Sequence, residues 1–92
     1  MPRPRMRRRI RGKPNSFYFK PAGIRMIDLK ESVLHLDEFE AIRLIDFKEI
    51  DQIEACKKMN ISQPTLSRLL RSARVKISKA IVNGDAIKIE KE

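Results

Sequence analysis

The sequence predicts a mostly α-helical domain of three to four helices, with a flexible basic arm ahead of it and room for one short two-stranded β element. Three observations carry that expectation. Aspartates at 37 and 51, each with a glutamate three residues on, open stretches of helical apolar spacing. A third stretch, from Ser62 to Val82, repeats apolar residues at i, i+3, i+4 and i+7 over five turns. The net charge of +9 is also divided sharply along the chain. Residues 1–20 carry +8, residues 21–61 carry −3, residues 62–82 carry +5 and the last ten carry −1.

Residues 1–15 hold Pro2, Pro4, Pro14, an arginine run and a single β-branched residue, Ile10. Such a segment has too little apolar surface to order itself, so it reads as a flexible arm and residues 16–92 as the domain. Ser16–Lys20, "SFYFK", suits a short strand or extended anchor, ended by Pro21 and Gly23. Residues 24–36 accommodate a short helix around Met26–Lys30 and then a brief extended piece. Asp37 is placed as an N-cap with Glu40 as its third residue, opening a helix over 37–47. There Phe39, Ala41, Ile42, Leu44 and Ile45 cover more than half the circumference, so other helices or a partner subunit are expected on two sides.

Asp51 and Glu54 open the next helix, about 51–59, with Ile53, Ala55, Cys56 and Met59 inward. Ser62 then caps a long helix. Pro64 falls in its first turn, where a missing N–H costs nothing, so the proline marks a start. Leu66, Leu69, Leu70, Ala73, Ile77, Ala80 and Ile81 form the inward stripe, and Asn83-Gly84 stops the helix. Ala86–Glu90 alternates as a short strand, a partner for Phe17–Phe19.

Ninety-two residues make one domain, and 36% charged residues suit a soluble chain. No apolar run approaches the roughly 18 residues of a membrane span, nor does a signal-peptide core follow the basic start, so a cytoplasmic location without membrane contact is expected. One cysteine, Cys56, excludes an internal disulfide, and a single histidine, His35, leaves no metal-ligand spacing. Cys56 reads as a core residue, His35 as a surface or half-buried one, and the Phe17–Phe19 aromatics as strand or core. Without an acid–base pair in a visible cleft, neither catalysis nor a cofactor is expected.

Two capped helices joined by Met59-Asn60-Ile61 are the layout of a helix-turn-helix, whose second helix enters the DNA major groove. Small Ala55 permits close helix approach. The first turn of the second helix offers free N–H groups and a positive dipole end. Gln63, Thr65, Ser67 and Arg68 are the candidate base contacts, since Gln pairs with adenine and Arg with guanine. Ser62, Arg71, Arg74, Lys76 and Lys79 are the candidate phosphate contacts. Arg3, Arg5, Arg7, Arg8, Arg9, Arg11 and Lys13 form a basic arm for phosphates or a minor groove. The expected partner is double-stranded DNA, bound by a homodimer on a two-fold site. Two other readings stand beside it: a protein-interaction module that contacts RNA polymerase, and a small RNA-binding protein led by the arm.

The chain also resembles a family of small archaeal and bacterial proteins, UPF0251 (DUF134). "MPRPR" at the start carries the resemblance, with "YFKPAG" at Tyr18–Gly23, "LDEFEAIRLID" at Leu36–Asp46, and "ISQPTLSRLLRSARVKISKAIVNGDAIKIE" at Ile61–Glu90. The resemblance implies a DNA-binding helix-turn-helix similar to region 4 of bacterial sigma factors, with Ser67–Arg74 matching its recognition helix. Some members carry a further domain resembling nitrogenase-cofactor-binding proteins; this sequence stops before it, and that role is not expected.

Overall fold

A computed structural model describes residues 9–90. Along the chain run β1 (Tyr18–Phe19), a 3-10 turn (Met26–Asp28), β2 (Glu31–Leu34), α1 (Leu36–Ile42), α2 (Gln52–Met59), α3 (Gln63–Asn83) and β3 (Ala86–Ile89). A π-helical stretch, Arg43–Phe47, prolongs α1. The helix expected over 37–47 is therefore two pieces. The π stretch closes where Lys48 N–H reaches the Arg43 carbonyl at 2.8 Å, and Glu49 at φ +57° turns the chain away.

Local signals set most helix ends. Asp51 Oδ1 accepts the Glu54 N–H at 2.8 Å, and Ser62 Oγ accepts the Thr65 N–H at 3.3 Å. Pro64 occupies the first turn of α3. Gly84, at φ +72°, ends it in the left-handed conformation that favours glycine. The start of α1 departs from the Asp37 cap. His35 is the N-cap, and the Glu38 carboxylate accepts its backbone N–H at 2.9 Å. The helix begins two residues early because β2 delivers the chain straight into it, and Glu38 lies inward where it can reach back.

The sheet has three strands, not two, in the order β1-β3-β2. β3 pairs antiparallel with β1, with Tyr18 opposite Lys88 and Phe19 opposite Ile87, matching the expected partnership. It also pairs in parallel with β2, with Leu34 opposite Ile89. A parallel pair requires a long crossover, and all three helices supply it. The Ser32 hydroxyl donates to the Lys76 carbonyl at 3.1 Å and fastens β2 to α3.

Two apolar clusters meet across α1. One joins Ala41 and Leu44 to Ala55, Cys56, Met59, Leu66 and Leu70. The other joins Leu34, Ala73 and Ile89, with Phe17, Phe39 and Ile42 packed against it. The surface formed by Phe39, Ala41, Ile42, Leu44 and Ile45 is thus covered by the chain's own helices and sheet, while Phe47 stays 78% exposed. Two residues expected inside lie outside: Ile53 is 61% exposed and Ile81 73%. Ile53 lines an open groove with Ile61, Ser62 and Gln63, and Ile81 lies one step around the helix from buried Ala80. Among the described residues no helix is long and apolar enough to cross a membrane.

Candidate nucleic-acid interface

The outward side of α3 begins at its capped N-terminus. Gln63, Ser67 and Arg71 are exposed at i, i+4 and i+8 on one ridge, and Pro64 and Arg68 on the next. Thr65, expected among them as a base contact, is half-buried and serves the cap. Its hydroxyl accepts from Ser62 Oγ at 3.0 Å and from Arg68 Nη2 at 3.3 Å. That second bond orients the Arg68 guanidinium along the first turns of the helix.

The expected phosphate contacts divide into two groups. Arg71 and Lys79 are exposed and face no acid within ion-pair distance among the described residues. Arg74 is held by Asp46 through two hydrogen bonds, of 2.6 and 3.1 Å, though both side chains stay half-exposed. Lys76 turns inward, its Nζ 2.7 Å from Glu38 Oε1. Glu38 is 4% exposed and also receives the Ser72 hydroxyl. Burial works against the charge on Glu38, but the hydrogen bonds from Lys76, Ser72 and the His35 N–H together outweigh it and lower its pKa. The α3 self-repulsion is therefore relieved in part by acids of α1 and its π-helical extension. Among the described residues, Arg68, Arg71 and Lys79 are the α3 cations that face no acid within ion-pair distance.

Arg3, Arg5, Arg7 and Arg8 lie outside the described residues. Arg9, Arg11 and Lys13 lie within them and have exposed side chains. Flexibility, expected of residues 1–15, does not describe residues 9–12. The Arg9 N–H donates to the Met59 carbonyl at 3.0 Å. The Arg11 and Gly12 N–H groups each donate to the Glu40 carboxylate at 3.1 Å. Glu40 is 1% exposed and also accepts from Arg43 Nε and Nη2, both at 2.9 Å. Desolvation opposes its ionisation, and the Arg43 pair with the two backbone donors lowers its pKa all the same.

Two basic residues escaped the sequence reading. Lys57 and Lys58 are exposed in the last turn of α2, next to the turn into α3. Lys58 is only 3.9 Å from Glu54, while Lys57 lines a groove with Asn60, Ser62 and Gln63. Their place at a helix C-terminus before a tight turn was a readable signal, hidden because the segment as a whole is acidic.

The remaining chemistry-bearing residues are accounted for locally. His35 Nδ1 meets Glu90 Oε1 at 2.5 Å, and the Tyr18 hydroxyl donates to Glu31 at 2.8 Å. Cys56 is buried, which raises its thiol pKa. Among the described residues no three His, Cys, Asp or Glu side chains are grouped to hold a metal ion.

A family described as "Protein of unknown function DUF134" matches residues 1–91. A UPF0251 protein of Caldanaerobacter subterraneus subsp. tengcongensis is 48% identical over 90 residues, covering 98% of this chain and 76% of the relative. A UPF0251 protein of Dehalococcoides mccartyi is 48% identical, covering 98% and 77%. One from Moorella thermoacetica is 46% identical, covering 98% of this chain but 60% of its own length. No solved structure matches the chain.

Proposed function

The chain belongs to the DUF134 family, and we propose that it binds duplex DNA with sequence preference, as a transcriptional regulator whose α2–turn–α3 unit is a helix-turn-helix. The observation that carries this reading is the acid-free outward face of early α3. It presents Gln63, Ser67, Arg68 and Arg71 behind a Ser62-capped N-terminus. An amide, a hydroxyl and two guanidiniums on adjacent ridges match what reads base edges and grips phosphates in a major groove. Left-handed Asn60, at φ +58°, sets the tight turn that allows α2 to brace α3. In this reading Gln63, Ser67 and Arg68 face bases. Arg71, Lys79 and Lys57 face phosphates, joined by Arg74 when it leaves Asp46, and Lys76 stays in the domain. The protein acts by binding, without catalysis, and works in the cytoplasm where its DNA is. A homodimer on a two-fold site belongs to the same reading, with exposed Phe47, at the end of the π-helical stretch, as apolar surface.

The second reading, contact with RNA polymerase, draws support from the far half of α3. Val75 is 56% exposed and Val82 82%, so apolar side chains stand beside Lys79 on the outward face beyond Arg71. Selection of bound sequences from random duplex DNA, with structured RNA as competitor at about 0.15 M salt, separates the readings. A recovered consensus supports sequence-specific DNA binding. Recovery without a consensus, or capture of RNA in preference to duplex, overturns it.

A further inference from the structure

A buried carboxylate is an expensive way to fill a helix face, because an apolar side chain of similar size packs there at lower cost. Glu40 is among the largest fully buried side chains, and its partners show what it holds. Half of its hydrogen bonds go to Arg43, three residues along its own helix. The other half go to the Arg11 and Gly12 backbone, 29 and 28 residues earlier in the chain. Those residues belong to no helix or strand. Gly12 runs so close under Arg43 that a Cβ placed on it would lie 1.9 Å from Nε and 2.2 Å from Cδ. Arg43 is pinned by Glu40 and has little freedom to yield. A Cβ here would have to push the Arg43 side chain off Glu40.

Upstream, the Arg9 N–H caps the Met59 carbonyl, one of the C-terminal carbonyls of α2 without a helical donor. Met59 lies four residues before Gln63. The chain therefore leaves its last described anchor at the corner between α2 and α3, beside the surface assigned above to DNA. We propose that Glu40 is a positioning residue for the arginine-rich N-terminal segment: through Arg11 and Gly12 it fixes the root of that segment at the start of α3, so that both act on one stretch of DNA. The inference rests on the DNA reading. Arg3, Arg5, Arg7 and Arg8 all lie within six residues of Arg9 along the sequence. Without the clamp, the segment ahead of Phe17, whose carbonyl accepts the Ile89 N–H at 2.8 Å, keeps only the single Arg9 N–H bond to the Met59 carbonyl among the described backbone bonds. Once that one bond opens, eight more residues are released, and the segment is diluted away from α3.

The test couples the clamp to the segment. Affinity for a selected duplex is measured against salt for the full chain, for Gly12→Ala, for Glu40→Gln, and for each of these lacking residues 1–8. With the clamp intact, removing Arg3, Arg5, Arg7 and Arg8 should flatten the slope of log affinity against log salt by up to about 3.6 and weaken binding at least tenfold at low salt. In either clamp variant that keeps native helicity, the same deletion should cost less than about threefold. An equal loss in both backgrounds overturns the proposal. Amide hydrogen exchange on the full chain gives an independent check, expected to show Arg11 and Gly12 N–H groups strongly protected. Exchange at free-chain rates would remove the clamp itself, whereas protected amides in a chain that binds no duplex would remove the DNA reading instead.

Discussion

Arg68 and Lys76 sit eight residues apart on one helix, carry the same charge and do opposite things. Arg68 is exposed and donates to the Thr65 hydroxyl, whereas Lys76 is 29% exposed and neutralises Glu38. Arg68→Ala should leave thermal stability within about 0.5 kcal/mol, because an exposed substitution away from the core rarely does more. It should cost roughly 1–3 kcal/mol on the preferred duplex and relax the sequence at one position. Lys76→Ala should do the reverse. It strands a buried carboxylate, at a cost approaching the ~3–5 kcal/mol of a broken buried pair and reduced by the exposure Lys76 retains. Its salt slope on DNA should not change. Denaturant unfolding beside binding selections on both variants checks the contrast, and an altered salt slope for Lys76→Ala would return that residue to the DNA surface. Residue type alone could not separate these two cations. Which one meets an acid depends on α1, brought alongside only by the fold.

Helices α2 and α3 were legible because their signals are local. A capping aspartate or serine, a proline in the first turn and a glycine beyond the last act over four residues, and each lies where the sequence places it. Ser62→Ala should therefore destabilise the domain by about 1 kcal/mol. It should also loosen Arg68, since Ser62 and Arg68 both bond the Thr65 hydroxyl. Thermal melts measure the first effect and a broadened sequence preference the second. Features set by distant contact were not legible. The brief extended piece expected before residue 36 is there as β2, but its parallel pairing with β3, more than fifty residues away, was not readable. Glu40 read as the third residue of a cap and Glu38 carried no assignment, because carboxylates are seldom buried without partners. Their partners, Lys76, Ser72, Arg11 and Gly12, come from both ends of the chain. The exposed faces of Ile53 and Ile81 escaped for the same reason: a helical stripe shows which side is apolar, but not where the neighbouring element ends.

At the scale of the whole molecule, two buried carboxylates tie the parts together. Glu38 joins the start of α1 to α3, and Glu40 joins the middle of α1 to the root of the N-terminal segment. Both have a pKa below the ordinary 4.5 in the folded state, and both regain that value on unfolding. The unfolded chain therefore binds more protons than the folded one as the pH drops toward and below 4.5. The stability these groups contribute is complete above that pH and is lost as it falls through their lower folded values. The midpoint of denaturant unfolding should be nearly flat from pH 8 to about pH 5 and fall steeply below about pH 4. Glu40→Gln, which cannot titrate at that position, should start from a lower midpoint and fall less steeply. The two proteins should then converge in acid. Parallel curves offset by a constant amount would show that Glu40 is not a source of the acid sensitivity. If this linkage holds, the tie between domain and arm loosens together with the tie between α1 and α3. Amide exchange of Arg11 and Gly12 should then accelerate over the same pH window in which the domain weakens.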